Sequence, residues 1–165
     1  MTGDKILYSP WRIDYILSEK DKSCIFCLKD KVSKDEDSFI PYRSTHCFVI
    51  LNIYPYNNGH IMVVPYKHVS CLSDLTAEEI LDLFATVQLS ERIIKKAFNP
   101  EGLNIGINIG KAAGAGIEEH LHVHLLPRWS GDTNFMTTVG GMRVIPEAFN
   151  QTYAKLKDLY KSEIH

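Results

Sequence analysis

Apolar residues change their spacing several times along the chain, and each change marks an element. From His46 the run HCFVILNIYP is apolar, β-branched and aromatic and ends at Pro55; IMVVP (61–65) follows the turn signal NNGH (57–60). The two runs predict adjacent strands, a hairpin with a longer loop. After Thr76 the spacing becomes helical, with Ile80, Leu83, Phe84, Val87, Ile94, Ala97 and Phe98 recurring up to Asn99-Pro100. This predicts one long helix, opened by a capping box of Thr76 and Glu79. GLNIGINIG (102–110) then alternates strictly, with Leu103, Ile105, Ile107 and Ile109 on one face and Asn104, Gly106, Asn108 and Gly110 on the other. That is the pattern of a half-buried strand. Past the turn KAAGAG, the stretch EEHLHVHLL (118–126) alternates again. Pro146 predicts the opening of a final helix through about Tyr160. Strands joined by tight turns, with one long helix inserted and one at the end, give an antiparallel α+β domain.

A length of 165 residues suits a single domain, 1–165. The charge-rich run KDKVSKDEDS (29–38) reads as a solvated loop or turn. A net charge of −2 without a basic stripe argues against a grip on long nucleic acid, and leaves a small phosphorylated ligand open. No run reaches the ~18 apolar residues of a membrane span. MTGDKILYSPWRIDY lacks the apolar core of a signal peptide. Four cysteines without an export signal read as thiols or metal ligands. The expectation is a cytoplasmic protein that makes no use of a membrane.

The chemistry concentrates in HLHVHLL. In a strand His120, His122 and His124 share one face, while Leu121, Val123 and Leu125 face the core. Packing gains nothing from three imidazoles in line. A single catalytic metal held by all three fails on distance, because the outer two lie roughly 13 Å apart in a strand. Divided roles fit better: one histidine as nucleophile, a neighbour binding an anionic oxygen, the third orienting or structural. A neutral imidazole is a competent nucleophile at physiological pH. Separately, Cys24-Ile-Phe-Cys27 has zinc-knuckle spacing and needs two more ligands. On counting alone Cys47 and Cys71 complete an all-cysteine set, although Cys47 begins a strand expected to be buried.

His120-Leu-His122-Val-His124-Leu-Leu resembles the signature of the histidine triad (HIT) nucleotide hydrolases and transferases. LNIYPYNNGHIMVVPYKH (51–68) is similar to the family's upstream segment, and NIGKAAGAG to its glycine-rich phosphate loop, so the likeness spans about 24–128. It leaves an N-terminal arm (1–23) and a C-terminal extension (129–165). SPWRIDYI, EEHLHVHLLPRW and GDTNFMTTVGGMRVIPE most resemble the bacterial diadenosine tetraphosphate phosphorylase branch. The resemblance implies a histidine-triad fold, with a sheet of about five strands, and a homodimer. It implies His122 as nucleophile toward an α-phosphate, the His120 carbonyl fixing its tautomer, and His124 on phosphate oxygen. Asn52 would meet the ribose, Asn108 with Gly114 and Gly116 the phosphates, and Trp129 the base or outer nucleotide. It implies a structural zinc on Cys24, Cys27, His68 and His120. The substrate would be an adenine nucleotide or dinucleoside polyphosphate.

One departure concerns the acceptor. Gly116-Ile117 stands where the family often has a glutamine followed by Ser or Thr. Losing those polar side chains opens room for inorganic phosphate as acceptor in place of water. A hydrolase, and a nucleotide- or zinc-binding module without turnover, remain the alternatives. Trp11 and Arg12 read as ligand contacts or as an arm packed on the domain. His46 and His60 read as structural, His60 supporting the site from its turn, and Arg128 as a phosphate contact or a surface ion pair.

Overall fold

A computed structural model of the chain describes residues 24–31, 33–134, 138–139 and 144–163. The expectations for the arm 1–23, with Trp11 and Arg12, and for 135–137 and 140–143 of the GDTNFMTTVGGMRVIPE stretch lie outside the described residues. Among the described residues five strands form one antiparallel sheet in the order β1-β2-β3-β5-β4. They are β1 (Tyr42–Arg43), β2 (Cys47–Leu51), β3 (Ile61–Pro65), β4 (Gly102–Ile107) and β5 (Val123–Arg128). The helices described in full are α1 (Ile25–Asp30), α2 (Ala77–Phe98) and α3 (Phe149–Glu163). No described helix is long and apolar enough to cross a membrane.

The continuous apolar runs in β2 and β3 follow from burial on both faces. Cys47, Val49, Leu51, Ile61, Val63, Val123 and Leu125 pack with Leu83, Val87, Ile93 and Ile94 of α2 and with Tyr153, Leu156 and Tyr160 of α3. Phe48, Ile50, Met62 and Val64 point the other way, onto Cys24, Phe26 and Ile40. One face of the sheet therefore carries the two long helices, and the other carries α1 and the histidines.

The capping box of α2 is present: Glu79 N–H donates to Thr76 Oγ1, and Thr76 N–H to Glu79 Oε2 at 2.8 Å. Asn99 closes the helix at φ 44°, a left-handed residue just ahead of Pro100. The Tyr160 hydroxyl on α3 donates to Ser90 Oγ of α2 at 2.6 Å, and its ring stacks on Tyr42.

Four sequence expectations need correction. The strand expected over 102–110 pairs only to Ile107, and Gly110 turns at φ 78°. At one edge of the described sheet, β4 leaves Ile105 44% exposed, so only part of its apolar face is covered. The last helix begins at Phe149, because Glu147 stays outside it and is held by Thr152 Oγ1 and Lys155 Nζ. The charged run is only partly solvated loop: its Asp30 and Asp35 bind the Arg43 guanidinium at 2.6 and 2.8 Å and tie the end of α1 to β1.

Candidate active site

β5 is short of the full histidine run. His120 and His122 precede Val123, the first residue of the ladder, and the Leu121 N–H bonds instead to the Val69 carbonyl. The alternation survives this bend. Leu121, Val123 and Leu125 enter the helix-side core, and the three histidines line the opposite face. His124 sits opposite Gly106 on β4 and opposite Met62 on β3.

Hydrogen bonds set the tautomer of each imidazole. His122 Nδ1–H donates to the His120 carbonyl at 2.8 Å, which leaves Nε2 as the nitrogen with the lone pair. Burial holds the His122 pKa below the usual range, so the ring is neutral at physiological pH. Phe26 packs at 5.1 Å from this ring and 5.3 Å from that of His120.

His60 sets His124. Its Nδ1 accepts the Tyr56 N–H at 3.2 Å and lies 3.3 Å from Asn52 Nδ2. The proton therefore sits on Nε2, which donates to His124 Nδ1 at 2.9 Å. His124 is left with its own N–H on Nε2, a donor for an anionic oxygen. Burial, and then the neighbouring imidazoles, lower the His60 pKa to about 3; burial and His122 lower that of His124 to about 4. The pair is neutral through physiological pH. The sequence placed His60 in a supporting turn; the structure gives it a direct bond to the triad.

At the other end of the histidine line, ligand atoms of Cys24, Cys27, His68 and His120 all lie within 4.8 Å of one another. Cys24 Sγ is 3.3 Å from His120 Nδ1, and Cys27 Sγ is 3.4 Å from His68 Nδ1. His120 Nε2–H donates to the Pro65 carbonyl at 2.8 Å, so Nδ1 faces the thiols with its lone pair. A metal-bound histidine is held in the same way by a backbone acceptor. Burial and then Cys24 raise the Cys27 pKa, a cost that a bound cation would reverse. The donor set fits a closed four-ligand metal site. The all-cysteine alternative does not form: Cys47 is fully buried in β2, 3.3 Å from Thr86 Oγ1 and 3.5 Å from Asp82 Oδ2.

Other expected residues fall around this line. Asn52 accepts the Tyr54 N–H through Oδ1, an Asx turn that presents the residue beside His60. Asn108 is half-buried just past the end of β4, while Gly114 and Gly116 are exposed in the following turn. A Cβ at Gly116 would meet nothing within 4 Å, so no close contact at that atom requires the glycine. Ile117 packs against the Cys24–Phe26 cluster. Arg128 forms an ion pair with Asp132 at 2.5 Å and donates to Asn104 Oδ1. Trp129 lines a cleft of about 620 Å³ with Tyr56, Leu126 and Arg128. The sequence did not assign a role to Phe26, Tyr56, Asn57 or Asp132, although Phe26 lies between the two cysteines, Tyr56 and Asn57 in the 51–68 stretch, and Asp132 in GDTNF.

The HIT domain family model matches residues 33–131. The chain is 48% identical over 118 residues to an AP-4-A phosphorylase of Mycobacterium tuberculosis, covering 72% of this chain and 60% of that protein. The match thus spans about three fifths of the relative's length. It is 38% identical over 91 residues to the asymmetrical bis(5'-nucleosyl)-tetraphosphatase of Schizosaccharomyces pombe, covering 55% of this chain and 50% of that one. Among solved structures, a zinc-bound histidine triad family protein of Mycobacterium smegmatis superposes with a TM-score of 0.69 at 27% identity. That comparison covers 87% of this chain and 96% of the other.

Proposed function

The chain belongs to the HIT domain family, and on that premise we propose that it is a nucleotidyl transferase that cleaves dinucleoside polyphosphates, with inorganic phosphate as acceptor. The substrate of choice is diadenosine tetraphosphate, converted to ATP and ADP. The observation that carries this reading is the 2.8 Å bond from His122 Nδ1 to the His120 carbonyl, which aims a neutral lone pair at Nε2. The similarity to an AP-4-A phosphorylase supports the substrate class.

In the first step His122 Nε2 forms a bond to the α-phosphorus of one adenosine. The bond to the bridging oxygen breaks, and ATP leaves with the electron pair. The His120 carbonyl, still bonded to Nδ1–H, offsets the positive charge that grows on the ring. His124 Nε2–H donates to a phosphate oxygen, held in that tautomer by His60. In the second step an oxygen of inorganic phosphate attacks the same phosphorus, ADP forms, and His122 is released with its lone pair. Asn52 holds the ribose, and Asn108, Gly114 and Gly116 flank the phosphates. The two-step path divides a difficult anhydride cleavage into easier displacements.

Cys24, Cys27, His68 and His120 would hold zinc. Four protein donors leave no open position, so the ion would supply a cross-link between α1 and the catalytic segment. The domain would run as one unit over 1–165, in the cytoplasm. The edge position of β4 among the described strands, with Ile105 exposed, and the exposed Leu81 and Phe84 of α2 support a homodimer.

The test is anion-exchange analysis of diadenosine tetraphosphate incubated with the protein, with and without phosphate. ATP plus ADP appearing only with phosphate is the expected result. ATP plus AMP in both tubes would make water the acceptor, the reading that the tetraphosphatase similarity favours. No products in either would overturn turnover of this substrate.

A further inference from the structure

We propose that Asp132 is a positioning residue: its carboxylate clasps Trp129, Arg128 and the Asn57 turn into one wall of the cleft beyond His124, which receives the outer nucleoside. This deepens the nucleotidyl-transfer reading and rests on it. Leu126 and Arg128 follow His124 on the same face of β5, since alternate side chains of a strand share a face. The cleft they line is about 620 Å³, within the range of small-molecule sites. The cleft therefore lies next along the same face of β5 beyond His124, on the side away from the Cys24–His120 cluster. Tyr56 joins the histidine to the cleft, with its ring 6.2 Å from that of His124 and at the cleft wall.

Asp132 holds that wall through four hydrogen bonds. Its Oδ1 accepts the Trp129 N–H at 3.1 Å, and its own N–H donates to the Trp129 carbonyl at 3.0 Å. Its Oδ2 accepts Arg128 Nε at 2.5 Å and Asn57 Nδ2 at 2.7 Å. Asn57 Nδ2 also reaches the Pro127 carbonyl, and Arg128 continues to Asn104 on β4. One carboxylate thus links three segments: the 52–60 loop, the end of β5 and, through Arg128, β4. Its side chain is only 9% exposed, so its charge is met by Arg128 more than by water. An amide in its place loses that charge and turns a donor either toward both Arg128 and Asn57 or toward the Trp129 N–H.

The test uses Asp132→Asn in the full chain, with diadenosine tetraphosphate and an adenosine 5'-phosphoramidate that has no second nucleoside. The expected result is a KM for the tetraphosphate that rises about tenfold more than the KM for the phosphoramidate, with the kcat ratio of the two substrates unchanged. In a Trp11→Phe background, acrylamide quenching of Trp129 should rise in the same variant. Equal losses on both substrates, no loss on the tetraphosphate, or unchanged quenching would each overturn the clasp. If the parent turns over neither substrate, the nucleotidyl-transfer reading fails by itself, and quenching alone decides whether Asp132 positions Trp129. Should Asp132→Asn not fold, Asn57→Ala removes one arm and should give the same KM split at smaller amplitude; no split would overturn the proposal.

Discussion

Acidification should destabilise this fold through His60. The side chain is buried at 2% exposure, and its folded pKa is about 3 against 6.5 for a free imidazole. Because the folded value is depressed, the stabilisation is fully present above 6.5 and drains away as pH falls toward about 3. At about pH 5 the unfolded chain has taken up a proton at this site and the folded chain has not. The difference is about 1.5 pH units at 1.36 kcal/mol each, or about 2 kcal/mol for His60 alone. His124, its partner in that hydrogen bond, is lowered to about 4 by burial and His122 and moves in the same direction. His60→Gln removes the titration and keeps a polar group at the site. Urea midpoints for parent and variant at about pH 7.5 and about pH 5 give a double difference. Protonation of the cysteine–histidine cluster and of carboxylates is common to both proteins and cancels. The parent should lose about 2 kcal/mol more than the variant between the two pH values. A variant that falls as far as the parent would refute the account of His60 as a neutral, buried imidazole.

Three further outcomes follow from other parts of the structure. His122→Ala should lower turnover of diadenosine tetraphosphate by about 10³-fold or more, while nucleotide affinity by titration calorimetry changes only a few-fold. An acid-labile phosphohistidine adduct should be trapped on the parent and not on this variant. Elemental analysis should find zinc lost in Cys24→Ser and Cys27→Ser but retained in Cys47→Ser. Chelation should lower the thermal midpoint, since zinc at about a hundred times its Kd contributes about 2.7 kcal/mol. Gly59→Ala should cost about 2 kcal/mol or more in urea titration. Gly59 has φ +71°, and a Cβ there would stand 2.6 Å from the Phe98 ring, so backbone strain and a ring displacement add.

The local pattern of the sequence carries much of this protein. Period 2 and period 3.6 located the hairpin, the long helix with its capping box and the facing of the histidines, because each depends on neighbours a few residues apart. The same locality explains the errors. Nothing near Ile105 says that its strand lies at an edge of the sheet, and nothing near Pro146 says that Glu147 will hold the helix entry from outside. Likewise Asp30 and Asp35 read as solvated charges until Arg43 comes into place across β1.

What the sequence determined by itself was the candidate chemistry: a line of three imidazoles on a polar face, and a cysteine pair in want of two partners. The tertiary structure decided how those groups are used. The pairing of Ile61 with Leu125 brings His60 to His124 across 64 residues and sets the proton on each ring. The return of α1 onto the sheet puts Cys24 and Cys27 beside His68 and His120, while the core takes Cys47 and binds it to Thr86 and Asp82. Asp132 gained its place only when the 52–60 loop met the end of β5. Composition and period record which face a side chain takes; strand register and packing between distant segments decide what it meets there.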